Sequence, residues 1–256
     1  MLALQEKVIE RTKIFAQQVE TLRFSCDCYI YNPLTYAWPM HELYIRTYLS
    51  NPIRTLLLGM NPGPFGMTQT GVPFGEIEAV KNFLKLDAEI SKPLTEHPGR
   101  PVLGLKTQRS EVSGRRLWGL IADHYGSAQA FAQEMAVINY CPLVFLDRKP
   151  TAKNITPDML VKGERLALET ICDRYLIDMI ELLEPTYLIG IGKYAMQKFT
   201  HVASQRPGVV ISSILHPSPA SPQANRGWKE KTETHLSSLG VWTLDKSKNC
   251  IVFPDN

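Results

Sequence analysis

The stretch that restricts this chain most is Thr55-Leu56-Leu57-Leu58 followed by Gly59-Met60-Asn61-Pro62-Gly63-Pro64-Phe65-Gly66-Met67-Thr68-Gln69-Thr70-Gly71-Val72-Pro73-Phe74-Gly75-Glu76. The apolar run reads as a buried strand of a parallel sheet. After Gly59, four glycines and three prolines bar both helix and ladder, so the chain must leave the sheet in a bent loop. That loop is about three times the usual strand-to-helix connection. It carries an asparagine, Asn61, and two phenylalanines, Phe65 and Phe74. Open α/β sheets take their ligands at the carboxyl ends of their strands, so the stretch predicts where a site lies as well as the fold class.

Three further apolar runs fit the same sheet: Ala136-Val137-Ile138-Asn139, Thr186 to Gly192, and Val209 to Leu215. Between them lie segments with helical spacing or helix signals, at about 2–22, 41–49, 76–86, 110–125, 158–183, 193–202 and a last one ending near Leu239. Hydroxyl caps are expected around Ser110 and Ser113, beside Arg115 and Arg116, a helix start able to hold a phosphate or simply a capped, solvated basic turn. Ser91 to Thr107 and Asp147 to Pro157 read as loops, and Leu143 to Leu146 as an apolar continuation after a break at Cys141-Pro142. The pattern predicts a three-layer α/β/α sandwich around a four-stranded parallel sheet, one domain over residues 1–256 with an N-terminal helix. Asn61 just past the first strand, Asn139 ending the second and His216 following the fourth would converge on one rim, as in a polar-bottomed pocket.

Composition narrows the chemistry. A formal charge of +3 permits a polyanionic partner without demanding one. The five cysteines are odd in number and scattered, with no CxxC pair, so zinc and iron–sulfur sites are not signalled and a reducing, intracellular compartment is expected. Cys26-Asp27-Cys28 reads as strand alternation. The first residues lack the basic-then-apolar form of a signal peptide, and no apolar run approaches membrane-spanning length. Gly190-x-Gly192 is only a weak nucleotide-loop lookalike, and the absence of a P-loop or a carboxylate cluster disfavours a small-nucleotide hydrolase. No cofactor and no metal are expected.

A pocket with these parts suits breaking an N-glycosidic bond. An asparagine can pair a donor and an acceptor with a pyrimidine edge, a phenylalanine can stack on the ring, and a rim histidine can donate to a developing anion. Asn61 can hold a water through its carbonyl oxygen. The paired carboxylates of ordinary glycoside hydrolysis are missing, but a nucleobase leaving as a delocalised anion needs electrostatic help more than a strong base.

Gly59 to Met67, His216-Pro217-Ser218-Pro219 and Pro222-Gln223-Ala224-Asn225-Arg226-Gly227-Trp228 together resemble the single-strand-selective monofunctional uracil-DNA glycosylases, the SMUG family. Tyr31-Asn32-Pro33, Gln69 to Glu76, His97-Pro98, Arg100 to Leu105, Ser110 to Gly114 and Asn139 to Leu143 extend the likeness over about Tyr29 to Leu239. The resemblance implies a uracil-DNA glycosylase fold that removes uracil and oxidised pyrimidines such as 5-hydroxymethyluracil from single- and double-stranded DNA. It makes Asn61 and His216 the catalytic pair, Asn139 the reader of the pyrimidine edge and Phe74 the stacking ring. Met60 and Phe65 join the substrate-binding set, and Gly63 and Met67 leave room beside ring carbon five. Ser113, Ser218, Pro219, Ala220, Pro222, Gln223, Asn225 and Arg226 are the implied DNA contacts, with the segment from Pro219 to Arg226 as a wedge that fills the gap of a flipped base. One position departs: family members carry arginine where Ala220 stands, so the plug is expected at Pro222, Gln223 or Arg226, with a shift towards single strands. The alternative is a module that binds damaged bases without cutting. A monomer in a bacterial cytoplasm is expected, or a nucleus if the source is eukaryotic.

Overall fold

The computed structural model describes residues 2–242. Cys250 lies outside them. Helix α1 (Leu4–Glu20) turns Val8, Phe15 and Val19 inwards, as its spacing predicts. Strand β1 (Cys28–Tyr31) leads into the short α2 (Pro33–Tyr36), whose start is fixed by Asn32 Oδ1 accepting from the Leu34 amide at 3.1 Å. Helix α3 (Trp38–Tyr48) precedes β2 (Thr55–Gly59), in which all five residues are buried. The long loop holds one helical turn, α4 (Met67–Thr70). Then come α5 (Val112–Tyr125), α6 (Ala128–Ala132) and a second fully buried strand, β3 (Met135–Asn139). The rest is β4 (Val144–Asp147), β5 (Asn154–Ile155), α7 (Lys162–Leu183), β6 (Tyr187–Ile191), α8 (Lys193–Ala203), β7 (Val210–Ile214) and α9 (Trp228–Ser238).

Four strands form the expected parallel sheet in the order β3-β2-β6-β7, flanked by helices. The register sets Gly59 opposite Asn139 and Ile191 opposite Ile214, so all four strands end on one edge. The pairing runs on past β3, where the Tyr140 and Cys141 amides donate to Gly59 O and Met60 O at 2.9 and 2.8 Å. Helix α1 packs on α7, with Phe15 and Tyr175 stacked at 4.1 Å and Thr12 hydrogen-bonded to the Tyr175 hydroxyl at 3.0 Å.

Several expectations change. The apolar run after Cys141-Pro142 does not continue the parallel sheet: β4 pairs antiparallel with both β1 and β5, a second sheet of three strands. β5 arises inside the segment expected to be only loop. The helix expected at 76–86 is a widened turn over Ala79–Phe83, closed by the Leu84 amide on Ala79 O. The helix expected from Asp158 begins at Lys162, after a tight turn at Pro157–Met159. No hydroxyl caps α5: Ser110 donates instead to Glu76 Oε1 at 2.6 Å. Cys26 and Cys28 are joined in a disulfide where two strand thiols were expected, while Cys141 and Cys172 are free and buried. A Cβ at Gly190 would overlap the Met196 backbone, so the Gly190-x-Gly192 pair serves close approach of α8 to β6.

Candidate active site

At the shared edge lies a cleft of about 380 Å³, and Met60, Asn61, Gly63, Phe74, Ser113, Asn139, His216 and Ser218 all line it. Sequence positions more than 150 residues apart thus meet, because the parallel register brings the ends of β2 and β3 level and β7 delivers His216 two residues beyond its last. Asn61 lies two residues past the end of β2, and its Nδ2 points back to Leu143 O at 3.4 Å, leaving Oδ1 for the cleft. Asn139 is 7% exposed; its Nδ2 donates to Met67 Sδ at 3.1 Å, and its Oδ1 is buried with no protein partner. A buried acceptor without a partner is costly, and a ligand donor would relieve it. The second N–H of the same amide remains for an acceptor.

Phe74 adopts φ 52°, a left-handed backbone rarely taken by aromatic residues, and its ring is nearly buried. Such strain persists where surrounding contacts impose it, commonly at ligand sites. Here the Trp118 indole donates to the preceding carbonyl, Pro73 O, at 3.3 Å. Gly59 makes the arrangement possible: a Cβ there would collide with both Asn139 Oδ1 and the Phe74 ring.

His216 sits 6.1 Å from the Phe74 ring, centroid to centroid. The Ser218 amide donates to His216 Nδ1 at 3.1 Å, which fixes the neutral tautomer with its proton on Nε2. Burial pushes the imidazole below its ordinary value of 6.5, which keeps it neutral near pH 7. A neutral N–H donor held in a partly desolvated cleft is suited to an anion that forms during reaction.

Sequence reasoning assigned no role to four residues of the wall: Pro64, Glu111, Asn154 and Thr156. The stem of Glu111 is partly exposed, but its Oε2 is out of solvent and without a hydrogen-bond partner. Burial pushes its carboxyl up to about 7, with Glu76 nearby adding to the rise and the Gly114 amide opposing it. The carboxyl packs against Gly63, where any Cβ would overlap it. The one signal was position, an acid next to a helix start, and that reads equally as a cap. Asn154 donates to Pro62 O at 3.4 Å from β5, a strand too short to announce itself.

Other expected residues stand elsewhere. Phe65 is not on the cleft wall; its ring lies under two guanidinium groups, Arg109 at 4.1 Å and Arg100 at 5.1 Å. Met67 lies behind Asn139. Pro219, Ala220, Pro222, Gln223, Asn225 and Arg226 form an exposed loop at the rim. The Asn225 amide is engaged within the protein, donating to Pro219 O at 2.8 Å.

A neutral imidazole donor, an amide with an open edge, an aromatic face and a second amide presenting its oxygen form a set able to hold a flat heterocycle and a water together. Comparison with known proteins agrees in kind. The model of the uracil DNA glycosylase superfamily matches residues 47–238. The single-strand selective monofunctional uracil DNA glycosylase of Bos taurus is 44% identical over 216 residues, 84% of this chain and 79% of that protein. Its counterpart in Rattus norvegicus is also 44% identical, over 84% and 77% of the two chains. Among solved structures, wild-type SMUG2 of Pedobacter heparinus aligns with a TM-score of 0.66 over 94% of this chain and 99% of that one, at 20% identity, a likeness of fold. Matched over most of its length by both the family model and these relatives, the chain belongs to the uracil DNA glycosylase superfamily and, within it, to the single-strand selective monofunctional family.

Proposed function

We propose that this protein removes uracil from DNA by hydrolysing its N-glycosidic bond, leaving an abasic site. The base, turned out of the strand, stacks on Phe74 and offers its N3–H and a carbonyl to the Asn139 amide. Asn61 Oδ1 holds a water against the sugar. As the bond to C1′ breaks, the pair of electrons stays on the base, and His216 Nε2–H donates to the carbonyl oxygen where that charge gathers. The water oxygen bonds to C1′ and its proton passes to solvent. His216 stays neutral throughout, in keeping with the fixed tautomer.

The observation that carries this reading is the meeting of Asn61, Asn139 and His216 on one cleft, with the His216 Nδ1 already occupied by the Ser218 amide. The base range is proposed to include pyrimidines with a small polar substituent at ring carbon five, as the resemblance implies; beside Gly63 the wall of the cleft is the Glu111 carboxyl. The protein is proposed to act as a monomer on both single and double strands. Incubation with a uracil-containing single strand followed by alkali should break the strand, and Asn61→Ala should bind it yet cut about a thousandfold more slowly. Strands left intact at high enzyme would overturn the reading.

A further inference from the structure

Strand β7 ends at Ile214, and Pro217 and Pro219 then deny the segment the amides a ladder needs. The carbonyls of alternate residues are nevertheless all taken, each by a side chain. Trp228 Nε1 donates to Leu215 O at 2.7 Å, Arg116 Nη1 to Pro217 O at 2.9 Å, and Asn225 Nδ2 to Pro219 O at 2.8 Å. Arg116 Nη2 also donates to Asn225 Oδ1 at 3.1 Å. One guanidinium from α5 therefore grips both the outgoing limb, beside His216, and the returning limb of the rim loop. Trp228, packed in the core at the start of α9, holds Leu215 ahead of the loop, and Asn225 belongs to the loop itself. Among these three side chains it is therefore Arg116, from α5, that joins both limbs.

We propose that Arg116 is a positioning residue, holding the segment from His216 to Ser218 and the exposed loop at 219–226 in one geometry for catalysis, and is not a phosphate contact. The proposal deepens the glycosylase reading and rests on it for its rate effects. A planar fork can reach both acceptors at once; a lysine ammonium cannot keep the same two-pronged geometry.

Arg116→Lys and Arg116→Met separate the possibilities through three readouts. Single-turnover uracil release should fall about tenfold in Arg116→Lys and further in Arg116→Met, with apparent substrate affinity changing less, since a small misplacement near the reacting atoms is costly. Tryptic nicking after the exposed Arg226 should speed up about fivefold, reporting a loosened loop without any need for activity. The salt dependence of binding to a uracil-free single strand should keep its slope, whereas a lost phosphate contact would flatten it by about 0.7. Asn225→Ala should lose rate in the same way and add little on top of Arg116→Met, since the two side chains form one unit. A flattened slope with normal tryptic protection would overturn the proposal, as would no change in nicking. If the wild type releases no uracil while nicking still rises, the functional reading fails and the brace stands.

Discussion

The two loops that meet over the cleft are built in opposite ways. From Gly66 to Ile77 every residue of the β2 loop is buried, whereas in the β7 loop from Pro219 to Gly227 the lone buried residue is Ala224. The first loop is pinned from within. Gln69 alone donates to Pro64 O and Pro101 O and accepts from the Leu103 amide and the Thr107 hydroxyl, at 2.8–3.2 Å. The second hangs on side chains at its base and leaves its tip bare. The contrast teaches how one site serves two needs. Selecting a base requires a wall that cannot yield, and approaching a strand of variable shape requires a projection with little packing to lose.

The sharpest way to break this comparison is Gly59→Ala. The added methyl group must displace Asn139 or Phe74, so uracil release should fall about a thousandfold, with a stability loss of about 1–3 kcal/mol for overpacking. Single-turnover rates and a thermal melt would check it; near-normal release would mean the wall is soft.

A smaller effect comes from Glu111→Gln. The Glu111 carboxyl stands at about 7 in the folded chain against an ordinary 4.5, so the folded state holds the extra proton between those values. Stability from this group is full below about pH 4.5 and is lost as pH rises through 7. The glutamine cannot ionise, and it should stabilise the protein by up to about 3 kcal/mol at pH 8, with the gain fading towards pH 5. Denaturant midpoints at the two pH values would show it, and a gain equal at both would refute the assignment.

The smallest effect belongs to the loose loop. Ala220→Arg should leave the free energy of unfolding unchanged, within about 0.5 kcal/mol, while raising release from duplex relative to single strands. Unchanged rates on both would remove Ala220 from the account.

Much of this was legible in the chain. Three strands of the parallel sheet, β2, β3 and β6, declared themselves because both faces are buried, which leaves uninterrupted runs such as Thr55 to Leu58 and Ala136 to Ile138. The half-exposed edge strand β7 was marked instead by its β-branched residues. Asn61, Asn139 and His216 stood out because each sits where such a run stops. Pairings without a local mark stayed hidden. β4 and β5 are four and two residues long, and β1 finds β4 across more than a hundred positions, for example Tyr31 with Val144. Side-chain direction was equally silent. Glu111 reads as a helix cap, yet its carboxyl turns to the cleft; Arg116 reads as a candidate phosphate ligand, yet it closes on Pro217 and Asn225.

The core of the account is a preformed cleft in which His216 is neutral and presents its Nε2 proton. Nitrogen NMR of histidine-labelled protein, with His216 assigned by comparison with His216→Gln, tests it directly. The account predicts a neutral ring protonated on Nε2 at pH 7, taking a second proton only below pH 6.5. An imidazolium at pH 7, or a neutral ring with its proton on Nδ1, would contradict it.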